Sequence, residues 1–421
     1  MIEFEMPKPI AQQSYVLQTV AENMMRPVSR HFDEHEHEIP WDYINFMHMA
    51  MRATGAGSLA PREEKKPKEG EEVKEEKKAR PPIGYQMLAF MLEMLSWGDV
   101  GMYLVTPGGG LGAAAVEAAG SPEQKQKFLA RFREEKPTFA AMAMTEPQAG
   151  SDTSAIRAAA VLDKNTNEWI LNGEKIFVTA GHKSLMESDG FIVVWATIDP
   201  SAGRAGMRSF VVEAGTAGCT VTKLEHKMGI RASDTASIVL QDCRVPFENM
   251  LGSPEVKTET TTGFKGAMAT FDATRPLVAA TGIGVARAAL ELLKETLSQQ
   301  GITIRYGLPR QKLSNIEREV IDMEVMLRSA WLLVVKAVWM ADNKKSNPLE
   351  ASMAKVRAGD VVTKITQKAV ELMGPLGYSR DLLLEKWFRD AKITDIYEGT
   401  GQINRLVVAR NILGYSGREL R

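Results

Sequence analysis

The chain reads as a helical domain, a small β domain and a second helical domain, in that order, and three observations carry the reading. Hydrophobic spacing is helical from Ile10 to about Lys136, alternates between about Thr138 and Leu251, and is helical again from Phe264 onward. With 421 residues the chain exceeds one ordinary core, so two or three domains are expected. Turn residues stand where the spacing changes. The boundaries predicted are 1–137 (N-terminal helical domain), 138–252 (middle β domain) and 253–421 (C-terminal helical bundle).

In the first helical region Pro40, Pro107-Gly108 and Gly120-Ser121-Pro122 mark helix ends. It is interrupted from about 53 to 82 by a run almost without large apolar residues, including Arg62-Glu63-Glu64-Lys65-Lys66 and Glu69 to Lys78. Such a stretch cannot bury a core and is expected to be a solvated excursion. In the β region, Glu168 to Thr179 predicts two strands around an Asn172-Gly173 turn. Phe191 to Ile198, Ser209 to Glu213 and Ser237 to Leu240 predict further strands. In the last region Ile316, Val320, Met323, Leu327, Ala330 and Val334 recur at helical spacing, as do Ala354, Val361, Ile365, Ala369 and Leu372. Several long helices are expected to share that core as a bundle.

A net charge of −1 provides no global basic field for nucleic acid or an anionic membrane. Two cysteines, Cys219 and Cys243, are too few for a disulfide framework and fit a reducing compartment. Met1-Ile2-Glu3-Phe4-Glu5 has neither the basic nor the apolar region of a leader, so a cytoplasmic location is expected. No run is expected to span a membrane; the most apolar stretch, Trp331 to Met340, is broken by Lys336.

The most informative segment is Asp395-Ile396-Tyr397-Glu398-Gly399-Thr400-Gly401-Gln402. A carboxylate between an aromatic ring and a glycine can be held in a dry pocket, where lost solvation raises its pKa and strengthens it as a base. Glu398 is therefore the candidate general base. A second segment, Met142-Ala143-Met144-Thr145-Glu146-Pro147-Gln148-Ala149-Gly150-Ser151-Asp152, opens the β region. Lys227 to Thr235, Phe271 to Pro276 and Phe388-Arg389-Asp390-Ala391-Lys392 follow in order.

Together these segments resemble the acyl-CoA dehydrogenase family over nearly the whole chain outside the charged run. The resemblance implies an N-terminal helical domain, a middle β-barrel and a C-terminal four-helix bundle, with FAD between barrel and bundle. It implies oxidation of an acyl-CoA thioester to the 2-enoyl-CoA, with electrons passed to an electron-transfer flavoprotein, in a homotetramer. Glu398 would remove the α-proton as the β-hydride passes to flavin N5. Its own N–H and a ribityl hydroxyl would hold the thioester oxygen. FAD contacts are implied for Met142, Met144, Thr145, Gly150, Ser151, Phe177, Val178, Thr179, Thr400 and Gln402. Substrate contacts are implied for Ser151, Phe271, Asp272, Arg275, Tyr397 and Gly399, with Arg275 suited to a phosphate or adenine of CoA. In some branches the base stands on the helix of Phe271 to Pro276; here that position is Thr274.

Two departures concern an FAD contact across subunits. The family's arginine position falls on Thr303, with Arg305 in a shifted frame, and its Gln-x-x-Gly-Gly is Glu371-Leu372-Met373-Gly374-Pro375. A carboxylate at Glu371 would repel a diphosphate unless turned away or protonated. An enoyl-CoA reductase using the same site in reverse, a flavin-poor non-catalytic subunit and an oxidase stay open as alternatives. Gly108-Gly109-Gly110-Leu111-Gly112 lacks the βαβ setting of a dinucleotide loop and, by the resemblance, lies beside Tyr103 and Pro107 on the acyl-chain side. His35-Glu36-His37 is read as solvated on a polar helix, and no metal is expected. The methionines of Met47 to Met51 and Met87 to Met94 are read as core packing.

Overall fold

The structure, a computed structural model, describes residues 6–54, 83–256, 262–415 and 419, with side chains described for all of these except 54 and 262–273. The charged run expected as a solvated excursion lies outside the described residues.

The N-terminal helices are α1 (Lys8–Val20), α2 (Ser29–Glu34), α3 (Trp41–Thr54), α4 (Gly84–Tyr103), α5 (Gly110–Ala119) and α6 (Pro122–Leu129). Their ends follow the sequence punctuation. Pro40 precedes α3, and Ser121 caps α6 reciprocally with Gln124: its hydroxyl accepts the Gln124 N–H at 3.2 Å, and Gln124 Oε1 accepts the Ser121 N–H at 2.8 Å. The stretch 108–112 forms no phosphate loop. It starts α5, and a β-carbon on Gly112 would lie 2.7 Å from Ala140, so only glycine lets this helix lie against the sheet.

The sheet contains β1 (Ala140–Ala143), β2 (Ala159–Asp163), β3 (Glu168–Thr179), β4 (Phe191–Thr197), β5 (Met207–Glu213), β6 (Cys219–Leu224), β7 (Thr235–Pro246) and β8 (Met250–Leu251). Its order is β6-β7-β3-β2-β4-β5-β8, with β1 parallel to β4. The hairpin expected at Asn172-Gly173 is not formed. β3 runs straight through it, and the register with β7 shifts there by a bulge. Gly173 has φ +151°, and a β-carbon on it would meet that of Ala158 at 2.6 Å, so this glycine serves a close approach and a bulge instead of a turn. The chain reverses instead at Lys164 to Asn167, where Asp163 Oδ1 accepts the Asn165 N–H at 3.0 Å and Asn167 takes φ +57°.

The C-terminal helices are α7 (Thr262–Gln299), α8 (Asn315–Asp342), α9 (Pro348–Met373), α10 (Pro375–Tyr378), α11 (Leu384–Ala391) and α12 (Gly401–Leu413). α7, α8 and α9 pack on one another, α4 joins them against α7 and α8, and α12 lies on α9. Val320, Met323, Ala330 and Val334 of α8 and Ala354, Val361, Ile365 and Ala369 of α9 are buried as their spacing predicts. Their core is continuous with Leu17, Tyr43 and Trp97 of the N-terminal helices. A second core lies within the sheet, around Trp169, Phe210 and Ile238. A third seats Val116 and Phe128 on Phe191. Among the described residues, one helical segment, Thr274–Gln299, is long and apolar enough to cross a membrane, a run the sequence analysis did not single out. Its most apolar window is 72% buried inside the protein, which accounts for that composition by core packing.

Candidate active site

The Tyr397-Glu398-Gly399-Thr400 segment links a short 3₁₀ turn, Lys392–Asp395, to α12. Thr400 is the N-cap of α12, its hydroxyl accepting the Ile403 N–H at 3.3 Å. The loop takes unusual backbone angles. Glu398 has φ +59° and Gly399 φ +93°. A left-handed glutamate costs about 1–2 kcal/mol relative to the right-handed region. The surroundings fix it: Asn404 Nδ2 donates to Gly399 O at 2.7 Å, and the Tyr397 hydroxyl lies 3.1 Å from Thr281 Oγ1 on α7.

Glu398 is partly exposed, yet protein surrounds it on several sides and desolvation is the largest influence on its acidity. Its pKa is raised above the ordinary carboxylate value. Smaller opposing influences come from the Thr274 hydroxyl, Lys355 and Arg275. Thr274 donates to Glu398 Oε2 at 2.8 Å, which leaves Oε1 as the oxygen available for a substrate proton. Thr274 thus supports Glu398. Tyr397 is pushed up to about 12 and Tyr103 is also raised, both chiefly by burial and both by the nearby Glu398 charge, so Glu398 is walled by neutral phenols.

Arg275, expected at a phosphate or adenine of CoA, lies beside Glu398. It is 6% exposed, and a β-carbon on Gly399 would lie 3.9 Å from its Nη2, so it bears on Glu398. Helical geometry explains this placement. Arg275 directly follows Thr274 on α7, and the loop of Glu398 closes over that turn. The side chains of Phe271 and Asp272 lie outside the described residues.

At the sheet, Met142 is in β1, Met144 is buried, and the Thr145 carbonyl accepts the Ile176 N–H at 2.9 Å. The Lys175 ammonium binds Glu146 Oε1 at 2.7 Å, and the other carboxylate oxygen accepts the Arg157 N–H at 2.6 Å. This buried pair shapes the segment that leads to Gly150 and Ser151, which are exposed. Phe177 is 60% exposed with φ +55°, and Thr179 is partly buried beside it. Val178 points into the sheet core at 1% exposure, so only its backbone can face a ligand. A large exposed aromatic ring on a left-handed backbone, the Ile176–Thr145 hydrogen bond that ties its strand to the segment leading to Gly150, and open space at Gly150 suit a flat ring system and an anion. These residues fit FAD.

The two departures have other partners. Arg305 grips Glu317 in a bidentate pair, Nε to Oε1 at 2.7 Å and Nη2 to Oε2 at 2.8 Å, and Glu317 completes the cap of α8. Glu371 is exposed and pairs with Lys368 at 2.7 Å, which offsets its charge. Gln402 is exposed on α12. Residues 35–37 follow the end of α2 instead of lying on a helix, and His37 has φ +78°. Candidate ligand atoms of Glu36, His37 and His226 lie within 4.8 Å of one another, as do those of His31, His35 and Glu38. The Lys227 ammonium is 4.0 Å from Glu36 Oε1 and already supplies a cation to the first group.

The sequence did not reveal the polar network that joins the segments Lys227 to Thr235 and Phe388 to Lys392. Lys386, on α11, binds Asp99 at 2.6 Å and Asp390 at 2.8 Å, and Asp390 Oδ1 accepts the Ile230 N–H at 2.6 Å. Asp99 breaks α4 with extended angles and also accepts from Ser29. The signal in the sequence was slight: Asp99 is one of two charges in the apolar α4, while Lys386 and Asp390 stand among other charges in 385–392 and do not announce their burial.

Comparison with known proteins agrees with this geometry. Residues 141–243 match the acyl-CoA dehydrogenase middle domain and 261–413 the acyl-CoA dehydrogenase C-terminal domain. Acryloyl-CoA reductase (NADH) of Anaerotignum propionicum is 35% identical over 416 residues, covering 98% of this chain and 94% of that protein. Butyryl-CoA dehydrogenase from Megasphaera elsdenii superposes with a TM-score of 0.81 at 30% identity, covering 98% of this chain and 100% of that one. A chain in the structure described as the electron transferring flavoprotein of Acidaminococcus fermentans gives the same TM-score at 32% identity, with the same coverage. With likeness running end to end and a desolvated glutamate where the signature segment predicted one, the chain is a member of the acyl-CoA dehydrogenase family, an oxidoreductase.

Proposed function

We propose that this protein catalyses α,β-dehydrogenation of an acyl-CoA thioester to the 2-enoyl-CoA, with Glu398 as the base. The observation that carries the reading is Glu398 itself, left-handed, desolvated and hydrogen-bonded through one oxygen to Thr274. When bound, FAD supplies the acceptor for the hydride leaving the β-carbon. Met142, Met144, Thr145, Gly150, Ser151, Phe177, Val178 (through its backbone) and Thr179 would hold the cofactor on the sheet side, and Thr400 and Gln402 on the helical side. Arg305 and Glu371, committed to Glu317 and Lys368, are weaker candidates.

Glu398 Oε1 would take the α-proton. Its raised pKa makes the carboxylate a stronger base once ionised, while Thr274 holds the other oxygen and limits the orientations available. The charge left on the thioester oxygen needs donors, for which the Glu398 N–H is the nearest candidate in this chain. Tyr103 and Tyr397 exclude water from the same space while remaining neutral.

A short acyl chain and an electron-transfer flavoprotein partner are part of the proposal, supported by the butyryl-CoA dehydrogenase and electron transferring flavoprotein structures. A homotetramer is also proposed. Exposed Val325, Leu332 and Trp339 on α8 and Leu406, Ile412 and Leu413 on α12 favour association. A second reading, reduction of an enoyl-CoA with Glu398 as the acid that protonates the α-carbon, is favoured by the end-to-end likeness to acryloyl-CoA reductase. The visible spectrum of purified, FAD-loaded protein under anaerobic conditions distinguishes them. Bleaching by butyryl-CoA, with sustained turnover to an artificial electron acceptor, supports dehydrogenation, whereas no bleaching by any saturated acyl-CoA, with reoxidation of reduced protein by an enoyl-CoA, supports reduction.

A further inference from the structure

Among the described residues, two buried cations lie near Glu398, Arg275 and Lys355, and Lys355 is the more deeply buried of the two. Lys355 is on α9, 1% exposed, and its ammonium donates to the carbonyl of Thr394 and, at 3.3 Å, to that of Gly399. Those two carbonyls bracket Asp395 to Glu398. The same ammonium lies 5.8 Å from the centroid of the Tyr397 ring. Burying a lysine is costly, and this one gains two carbonyls and two nearby carboxylates, Glu398 and Asp395, in return. A methionine or leucine would fill the volume without that cost, so the charge calls for an explanation at this spot.

We propose that Lys355 is a positioning residue: its buried ammonium ties together the two ends of the loop that carries Glu398 and places a fixed positive charge beneath the base. The inference rests on Glu398 being the base. The loop needs such a tie because Glu398 and Gly399 both sit at positive φ. Asn404 holds Gly399 from the α12 side, and Lys355 joins the same carbonyl to Thr394 from the α9 side.

The charge has a direction of effect. The groups facing Glu398 are Thr274 and Arg275 from α7, Lys355 from α9, Tyr103 from α4, and Tyr397 with Asp395 from its own loop. Of these, Lys355 and Arg275 are the cations, and both pull the Glu398 pKa down against desolvation. Burial lowers Lys355 to about 8, so it is charged at neutral pH. Removing it lets the Glu398 pKa rise further, and a smaller fraction of the base is ionised at neutral pH.

The experiment uses FAD-loaded wild type, Lys355→Met, Lys355→Gln and Glu398→Gln, with kcat and KM for butyryl-CoA measured against pH. Lys355→Gln keeps a hydrogen-bond donor without the charge, and it carries the test if Lys355→Met does not fold. Both Lys355 variants are expected to move the acidic midpoint of kcat/KM up by about 1–2 units. kcat at neutral pH should fall by about 10- to 100-fold with KM changed by less than about 3-fold, the larger loss in Lys355→Met. A wild-type midpoint in Lys355→Gln overturns the proposal, since a purely structural lysine would alter melting temperature without moving the profile. Turnover retained in Glu398→Gln overturns the base assignment and this proposal together; an inactive Glu398→Gln beside an unshifted Lys355→Gln overturns the positioning role alone.

Discussion

Lys386→Met isolates the network that joins the three parts of the chain. The wild-type ammonium is 1% exposed and bonds Asp99 at 2.6 Å and Asp390 at 2.8 Å, with both carboxylate side chains fully buried. Methionine keeps most of the stem and removes the charge, leaving two buried carboxylates facing each other. Removing one partner from a buried ionic group costs about 3–5 kcal/mol. At the 2–4 °C per kcal/mol found for large domains, the apparent Tm should fall by roughly 6–20 °C. The sign of the pH dependence follows from linkage. Burial already holds Asp390 above the ordinary carboxylate value, and Lys386 is the main influence opposing that rise; without Lys386 its folded-state pKa climbs further above the unfolded value, so the folded state binds more protons and loses stability as pH rises between the two. Wild type and variant, both FAD-loaded, would be melted by circular dichroism at neutral pH and at mildly acid pH. A larger Tm deficit at neutral pH is expected. A deficit below about 2 °C at neutral pH, or one that grows on acidification, would refute the reasoning.

Three further outcomes follow from the same geometry. Because desolvation raises Glu398, the acidic midpoint of kcat/KM in the wild type should lie above the ordinary carboxylate value of 4.5, with activity rising through it as the base ionises; a midpoint at or below 4.5 contradicts a desolvated base. Gly112→Ala puts a β-carbon 2.7 Å from the Ala140 backbone and should destabilise the protein by about 1–3 kcal/mol in urea denaturation, whereas an unchanged midpoint would show that α5 is free to move off the sheet. Replacing residues 55–82 by a short Gly-Ser linker should leave dye-linked turnover within about 3-fold of wild type, because the run has almost no large apolar residues to lose from a core. Loss of folding in that variant would overturn the assignment of the run as solvated.

The helical, β, helical order was legible because each region keeps one hydrophobic period over several elements, and Val320, Met323, Val334, Val361 and Ile365 are buried where that period put them. Other features were hidden by their physics. β1 reads Ala-Ala-Met-Ala and has no β-branched residue, so its strand character comes from pairing with β4. Asn172-Gly173 carries a hairpin signal, but glycine also suits a bulge, and only the approach of Ala158 separates the two uses. Glu398 was legible from its immediate neighbours. The groups that hold it, Thr274, Arg275, Lys355 and Asn404, come from other elements, and long-range pairing leaves no local pattern. The nearness of Arg275 to Glu398 was not legible, since the sequence shows its type and not the loop that folds over it. The buried helix Thr274–Gln299 escaped notice because threonine, glycine and arginine dilute its apolar run.

The central claim is that Glu398 removes a proton from an acyl-CoA bound beside FAD. Its most direct test is anaerobic mixing of FAD-loaded wild type and Glu398→Gln with butyryl-CoA, followed by visible absorption. Rapid bleaching of the wild-type flavin is expected, with an intact flavin spectrum that bleaches about 10²- to 10⁴-fold more slowly in the variant. Bleaching of Glu398→Gln at the wild-type rate, or a wild-type protein that cannot take up FAD at all, would contradict it.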